Sequence, residues 1–297
     1  MQEFTIKDME RLSGIKAHTL RVWEQRYGII KPQRDPGKHR HYNNDDLKKL
    51  LRVAHLYDQG YKISHICKLG IHEINDIIQP VHSPAEAKKK AMLILTEAIV
   101  DFDEATMHRH LDQLIRQVGF EAVMVDVAFP LLNKLGLLWM TDKVVPGEEH
   151  FASNIILQKI IYATDQLGKP TLLTDQLVLL LAPEGEHHEI GLLFMNYLLR
   201  KNGCATVYLG TNISEDVAGV FIDKYSPSHL HIHPTCNLQD PELEDWIRGL
   251  MRTGAGAKVV VSGPLVPELK PQFSPGEVIF LSNENEIQDH LVRMRPY

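Results

Sequence analysis

The chain has 297 residues, with 32 Lys+Arg against 38 Asp+Glu, 44% hydrophobic and 24% charged residues. That ordinary globular balance excludes wholesale disorder, and the length suggests two or three domains of roughly 100–150 residues each. No apolar run approaches the ~20 residues needed to span a bilayer, so no membrane partner is expected. The opening stretch, Met1–Gly14, carries acidic residues where a secretory signal would carry an apolar core. Three scattered cysteines, Cys67, Cys204 and Cys236, form neither a disulfide framework nor a metal-binding pair, which fits a reducing cytoplasm.

Charge divides the chain before any motif does. Residues 1–70 hold 14 Lys+Arg and 8 Asp+Glu, a balance of +6, and the other 227 residues carry −12. A basic head on an acidic body is the pattern of a nucleic-acid-binding module joined to a sensing or assembly module. Within the head, residues 4–15 read as a short amphipathic helix with Thr5 as N-cap and Asp8 completing a capping-box pair, stopped at Gly14. A second helix follows from Lys16. Helix, tight turn and second helix carrying Lys16, His18 and Arg21 would place a recognition helix in the major groove of DNA. A Pro/Gly-rich loop over 31–38 leads to a basic aromatic strand, His39-Arg40-His41-Tyr42, in which Arg40 and Tyr42 are expected to touch phosphate. Trp23 and Tyr27 at helical spacing read as core, as do Leu12, Ile15 and Leu20.

Pro80 and Pro84 then mark a linker over 76–85. From 86 to 168, apolar residues recur at three- and four-residue intervals. Ala91, Leu93, Ile94, Ala98 and Ile99 make one stripe, and Leu111, Leu114, Ile115 and Val118 another, as in a helical bundle. Across 169–297 the texture changes to five short β-rich runs, at 177–182, 205–209, 229–233, 258–262 and 278–281. They alternate with helical stretches near 188–201, 214–225, 240–253 and 285–294. Such alternation predicts a doubly wound parallel sheet, Rossmann-like or flavodoxin-like. The expected architecture is therefore multidomain: a DNA-binding domain over 1–75, the linker, a bundle over 86–168 and an α/β domain over 169–297.

The head resembles the MerR family of transcription regulators. The likeness rests on Leu12-Ser13-Gly14-Ile15, His18-Thr19-Leu20-Arg21, Trp23-Glu24-Gln25-Arg26-Tyr27-Gly28 and the run from Gly37 to Tyr42. It implies a winged helix-turn-helix that binds double-stranded operator DNA as a dimer, with Lys16, His18, Thr19, Arg21, Arg40 and Tyr42 at the DNA.

The loop from Ala182 to Gly191 leaves the first expected strand and opens the first helix of the sheet, where α/β folds bind ligands. Glu186 and His188 can present a carboxylate and an imidazole from one loop. A neutral imidazole ligates cobalt or zinc, and a carboxylate can fix its tautomer. Gly191 would let a planar ligand approach. No further ligands at fixed spacing argue for a zinc site. The stretch resembles the Asp/Glu-x-His-x-x-Gly motif of cobalamin-binding domains. By that resemblance His188 is the lower cobalt ligand, Glu186 its partner and Gly191 the spacing residue; His187 reads as a surface residue. In the bundle, Trp139 followed after nine residues by Glu149-His150 resembles an element of CarH-type and LitR-type light-responsive regulators. The likeness implies that Trp139, Glu149 and His150 cover the upper face of adenosylcobalamin.

Three positions depart from that pattern. Met140 stands where CarH-type proteins have the histidine that captures cobalt after illumination, and a thioether is a weaker substitute. His233-Pro234-Thr235 replaces the Ser-x-Leu that contacts the nucleotide tail, and Ser262-Gly263 replaces a Gly-Gly. His231 and His233 alternate along one strand and either touch a ligand tail or serve as hydrogen-bonded strand-end residues. The function expected is a DNA-binding regulator that senses a cobalamin and changes its dimeric or tetrameric association. Two alternatives stand beside it: a regulator whose pocket takes another tetrapyrrole or a protein antagonist, and a corrinoid-dependent methyl-transfer module. The chain shows no Ser/His/Asp triad or P-loop, so catalysis is not expected.

Overall fold

A computed structural model describes residues 4–34, 40–78, 83–139, 146–168, 176–235, 240–254 and 256–295. The chain falls into two compact units, Met1–Ile155 and Ile156–Tyr297.

In the first unit, α1 (Ile6–Ser13) begins at a capping box in which the Thr5 backbone N–H donates to Asp8 Oδ2 at 2.7 Å. It ends at Gly14, whose φ of 75° is the left-handed value that glycine adopts without strain. Helix α2 (Ala17–Tyr27) follows, its first N–H donating to the Glu10 carboxylate at 3.0 Å. The wing is an antiparallel pair, β1 (Gln33–Arg34) and β2 (Arg40–His41). Asn43 and Asp46 form a second capping box at the start of α3 (Asn44–Asp58), and α4 (Ile63–Ile66) and α5 (Ile71–Ile78) complete the head. Phe4, Met9, Leu12, Leu20, Trp23, Tyr42, Leu47 and Leu50 are buried in one core, and Leu93 and Val100 of α6 (Pro84–Val100) pack into the same core. Around that seam Arg52 grips Glu97 through two nitrogens at 2.7 and 2.9 Å. Lys48 reaches Asp101 at 3.0 Å.

The bundle continues through α7 (Glu104–Val118), α8 (Phe120–Val123), a π-helical segment over Met124–Ala128, and α9 (Phe129–Trp139). Helix α10 (Pro146–Asp165) runs across the boundary between the units. The first expected stripe is buried or half-buried. The second is displaced: Met107 and Leu111 are fully buried, Leu114 and Ile115 are half-buried and Val118 is exposed.

The second unit is built on a parallel sheet. Its elements are β3 (Leu177–Pro183), α11 (Ile190–Lys201), β4 (Ala205–Ile213), α12 (Glu215–Tyr225), β5 (His229–Ile232), α13 (Asp240–Thr253), β6 (Lys258–Ser262), α14 (Val266–Leu269), β7 (Ile279–Leu281) and α15 (Glu284–Arg293). The strand order is β4-β3-β5-β6-β7, with every pairing parallel. This is the flavodoxin-like order, whose reversal between β3 and β5 opens a crevice at the carboxyl ends of those strands. Burial on both faces explains why β3 and β6 read as near-unbroken apolar runs: Leu179, Leu181, Leu230, Ile232, Val259 and Val261 are all at most 2% exposed and form the core against α12 and α13. The fold class is the one anticipated, a winged helix-turn-helix head, further helices and a parallel α/β sheet.

Candidate functional site

At the crevice, β3 ends at Pro183 and the chain turns through Gly185, whose φ is 84° and whose N–H donates to Asn212 Oδ1 at 2.9 Å. The turn delivers Glu186 into the interior, where it is fully buried. A buried carboxylate is costly unless its lone pairs are satisfied. Here Oε1 accepts the His188 backbone N–H at 2.9 Å and the His188 ring Nδ1 at 2.7 Å, and Oε2 accepts the Thr235 backbone N–H at 2.7 Å. Glu186 therefore joins the loop after β3 to the loop after β5.

One consequence concerns the imidazole. A carboxylate is an acceptor, so Nδ1 of His188 carries the proton and the ring lone pair lies on Nε2. The His188 side chain is about half exposed, at 52%. An exposed imidazole held by a buried carboxylate is the arrangement found behind metal-ligating histidines. His187 is exposed beside it. Among the described residues, no group of three or more His, Cys, Asp or Glu side chains is placed to hold a metal by itself. A single ligand suits a cofactor that brings its own equatorial donors.

His231, His233, Thr235, Ser262 and Gly263 all lie at the same edge. Ser262 Oγ sits 2.9 Å from His231 Nε2 and 2.8 Å from His233 Nδ1, and both Ser262 and His231 are fully buried. His231 Nδ1 is buried without a hydrogen-bond partner. A bare acceptor tolerates that better than an N–H would, so the chain of donors runs His231 Nε2–H to Ser262, then Ser262 O–H to His233 Nδ1. His233 thus carries its own proton on Nε2. Burial holds both histidines below the usual imidazole range, His231 well below it and His233 down to about 4 against an opposing pull from Glu186. At the end of β5, His231 and His233 are thus both hydrogen-bonded through Ser262.

The His233 ring lies against both glycines of the crevice. A Cβ at Gly191 would overlap His233 Nε2, and one at Gly263 would stand 3.0 Å from that atom and 2.9 Å from the Pro234 carbonyl.

In the first unit, Glu149 on α10 is half-buried; its carboxylate accepts from Ser153 and lies 3.2 Å from His150 Nδ1, and His150 is exposed. Trp139 ends α9, and Met140 lies outside the described residues.

On the head, His18 and Arg21 are exposed on α2, Thr19 is half-buried, and Lys16 projects at the helix start with its ammonium 3.3 Å from Glu10. Arg40 is tied to Glu24 of α2 at 3.1 Å, a pairing sequence spacing could not show. Tyr42 corrects an expectation. Instead of facing phosphate it is 1% exposed, pinned by the bridge that β2's end makes to Phe4. Its hydroxyl is buried without a partner, and burial, aided by Glu24, pushes its pKa up to about 12. The reason is pairing: just past β2, Tyr42 exchanges backbone hydrogen bonds with Phe4, and both rings are buried in the core of the head. Trp23 and Tyr27 are core or core-packed, as their spacing implied.

Comparison with known proteins places two domains on the chain. The MerR HTH family regulatory protein domain matches residues 4–69, and the B12 binding domain matches residues 94–163, a span that contains Trp139, Glu149 and His150. The HTH-type transcriptional repressor CarH of Myxococcus xanthus is 25% identical over 256 residues, 83% of this chain and 84% of that protein. The repressor CarA of the same organism is 29% identical over 210 residues, 70% of this chain and 68% of that protein. Among solved structures, the monomethylamine corrinoid protein of Methanosarcina barkeri shares the fold, with a TM-score of 0.53 and 16% identity over 67% of this chain and 96% of that one.

Proposed function

From a chain that joins a MerR-family helix-turn-helix to a B12-binding domain, we propose a transcription regulator that binds operator DNA through α2 and the wing and binds cobalamin through His188. The observation that carries the reading is the buried Glu186 holding Nδ1 of an exposed His188. The donor set fits a corrin, which would bring its own ring donors to the cobalt and would be held by the single imidazole of His188. The helical segment contributes Trp139, Glu149 and His150 to the cofactor, which we take to be adenosylcobalamin. The relatives are transcriptional repressors, and we place this chain with them rather than with methyl-transfer proteins.

Ligand binding is proposed to change how copies associate as dimers or tetramers, and so how their heads meet the operator. A coupling of about 1–3 kcal/mol between cofactor and DNA suffices. Light enters only through the Co–C bond of the cofactor, and Met140 in place of a capturing histidine argues against a locked, illuminated state of the CarH type.

The test is the absorbance of dark-purified protein mixed with adenosylcobalamin, desalted, and read before and after green light. Retained cofactor with its own base detached and histidine bound is expected. His188→Ala should lose at least tenfold in affinity, about 1.4 kcal/mol, and the histidine-bound spectrum, while DNA binding persists. Full retention by the variant would remove His188 from the site. Loss of all colour from the wild type would instead favour another tetrapyrrole or a protein antagonist.

A further inference from the structure

Two glycines that face one another across a crevice admit something flat. Gly191 opens α11, and Gly263, at a φ of 103°, follows the last residue of β6. In this chain the flat group between them is the chain's own imidazole. His233 leaves the end of β5, and its ring edge lies where a side chain on Gly191 would stand. It is not a loosely placed ring. Its Nδ1 is fixed by Ser262, Ser262 is fixed by His231, and both of those are fully buried. Pro234 stiffens the next bond, and the Thr235 N–H is held by Glu186. The carboxylate that orients His188 therefore also anchors the loop that carries His233.

A cobalamin bound through His188 has given up its own benzimidazole, and that detached nucleotide must lie on the same side of the corrin as His188. The ring-wide opening beside His188, between Gly191 and Gly263, is already filled. We propose that His233 is a built-in plug of this ring slot, so that the site recognises a corrinoid by its macrocycle and axial face and leaves the lower nucleotide outside the sheet. The inference rests on the reading of His188 given above. It makes His233 a specificity-determining residue and widens the ligand class to corrinoids with any lower base, or none.

The experiment compares cobalamin with cobinamide, the same corrin without its nucleotide, by equilibrium dialysis against full-length protein with absorbance as the readout. The wild type should bind cobinamide at least as tightly as cobalamin, because the tail finds no pocket and cobalamin alone must give up its own benzimidazole. His233→Ala should open the slot and tighten cobalamin by about tenfold or more while moving cobinamide less than about threefold. His233→Asn withdraws the ring yet keeps an acceptor for Ser262, and serves in place of the alanine should that variant not fold. A wild-type preference for cobalamin beyond about threefold overturns the inference and leaves the His188 reading intact. An unchanged cobalamin-to-cobinamide ratio in the variant also overturns it. Failure of the wild type to bind either corrinoid removes the His188 reading and this inference together.

Discussion

Tyr42 shows how a single residue decides between two readings. Its position in the run His39 to Tyr42 suits a phosphate contact, and its burial assigns it to the core of the head. A buried phenol hydroxyl without a partner forfeits the hydrogen bond it would make in water, a cost of about 1–3 kcal/mol. Tyr42→Phe removes that group and keeps the ring. The variant should be as stable as the wild type or more so by up to about 1 kcal/mol in urea unfolding, with operator affinity unchanged within about twofold. A large drop in DNA affinity would return Tyr42 to the interface. Glu186 is the opposite case, a buried polar residue with three accepted hydrogen bonds, and its pairing with His188 two residues away was legible from the sequence. Its bond to Thr235, 49 residues later, was not, because nothing local encodes which distant loop the sheet brings alongside.

At the scale of elements, legibility follows the kind of pattern each one carries. The parallel strands were found to within a residue or two at their starts, because central strands buried on both faces, such as β3 and β6, read as near-continuous apolar runs. Helix caps were equally plain: Thr5 with Asp8 is a short-range chemical pair, and it forms as spaced. The second bundle stripe was misplaced by one turn. Helix α7 buries Met107 and Leu111 and exposes Val118 in its last turn, just before Gly119. The π-helical segment Met124–Ala128 left no trace in the pattern at all. Wing and recognition helix are coupled in a way the sequence also hides, through Arg40 and Glu24. Arg40 lies on the wing rather than on α2, so its contribution to DNA binding should be to phosphate. Arg40→Ala is expected to weaken binding to all sequences alike and to lower the slope of log K against log salt by about 1, checked by fluorescence titration at several salt concentrations. A loss confined to one operator sequence would make Arg40 a base-reading residue instead.

For the whole molecule, sixteen histidines acquire their meaning from where the fold puts them. His229, His231 and His233 follow β5 on alternate positions, and His290 of α15 packs edge-on against His229 at 6.1 Å between ring centres. Burial depresses all four: His290 to about 4, with His229, Arg293 and Lys258 adding to it, His233 to about 4, His231 well below its ordinary value, and His229 to a lesser degree. A buried neutral imidazole is a stability statement. Above a pH of about 6.5, the ordinary histidine value, both folded and unfolded chains hold these rings neutral and nothing is lost. As pH falls below that value the unfolded chain takes up protons that the folded chain refuses, so stability declines by about 1.4 kcal/mol per pH unit for each ring, until the folded value is reached. The α/β unit should therefore be markedly weaker at pH 5 than at pH 7, by an amount set by several rings together. Replacing one of them isolates its share. His290→Leu keeps an apolar group in place, lies away from His188, and should flatten the dependence of the urea midpoint on pH between 7 and 5 by about one proton's worth. An undiminished pH dependence in that variant would mean that His290 protonates as readily in the folded chain as in the unfolded one, and that the charge it then carries finds a partner among the residues around α15.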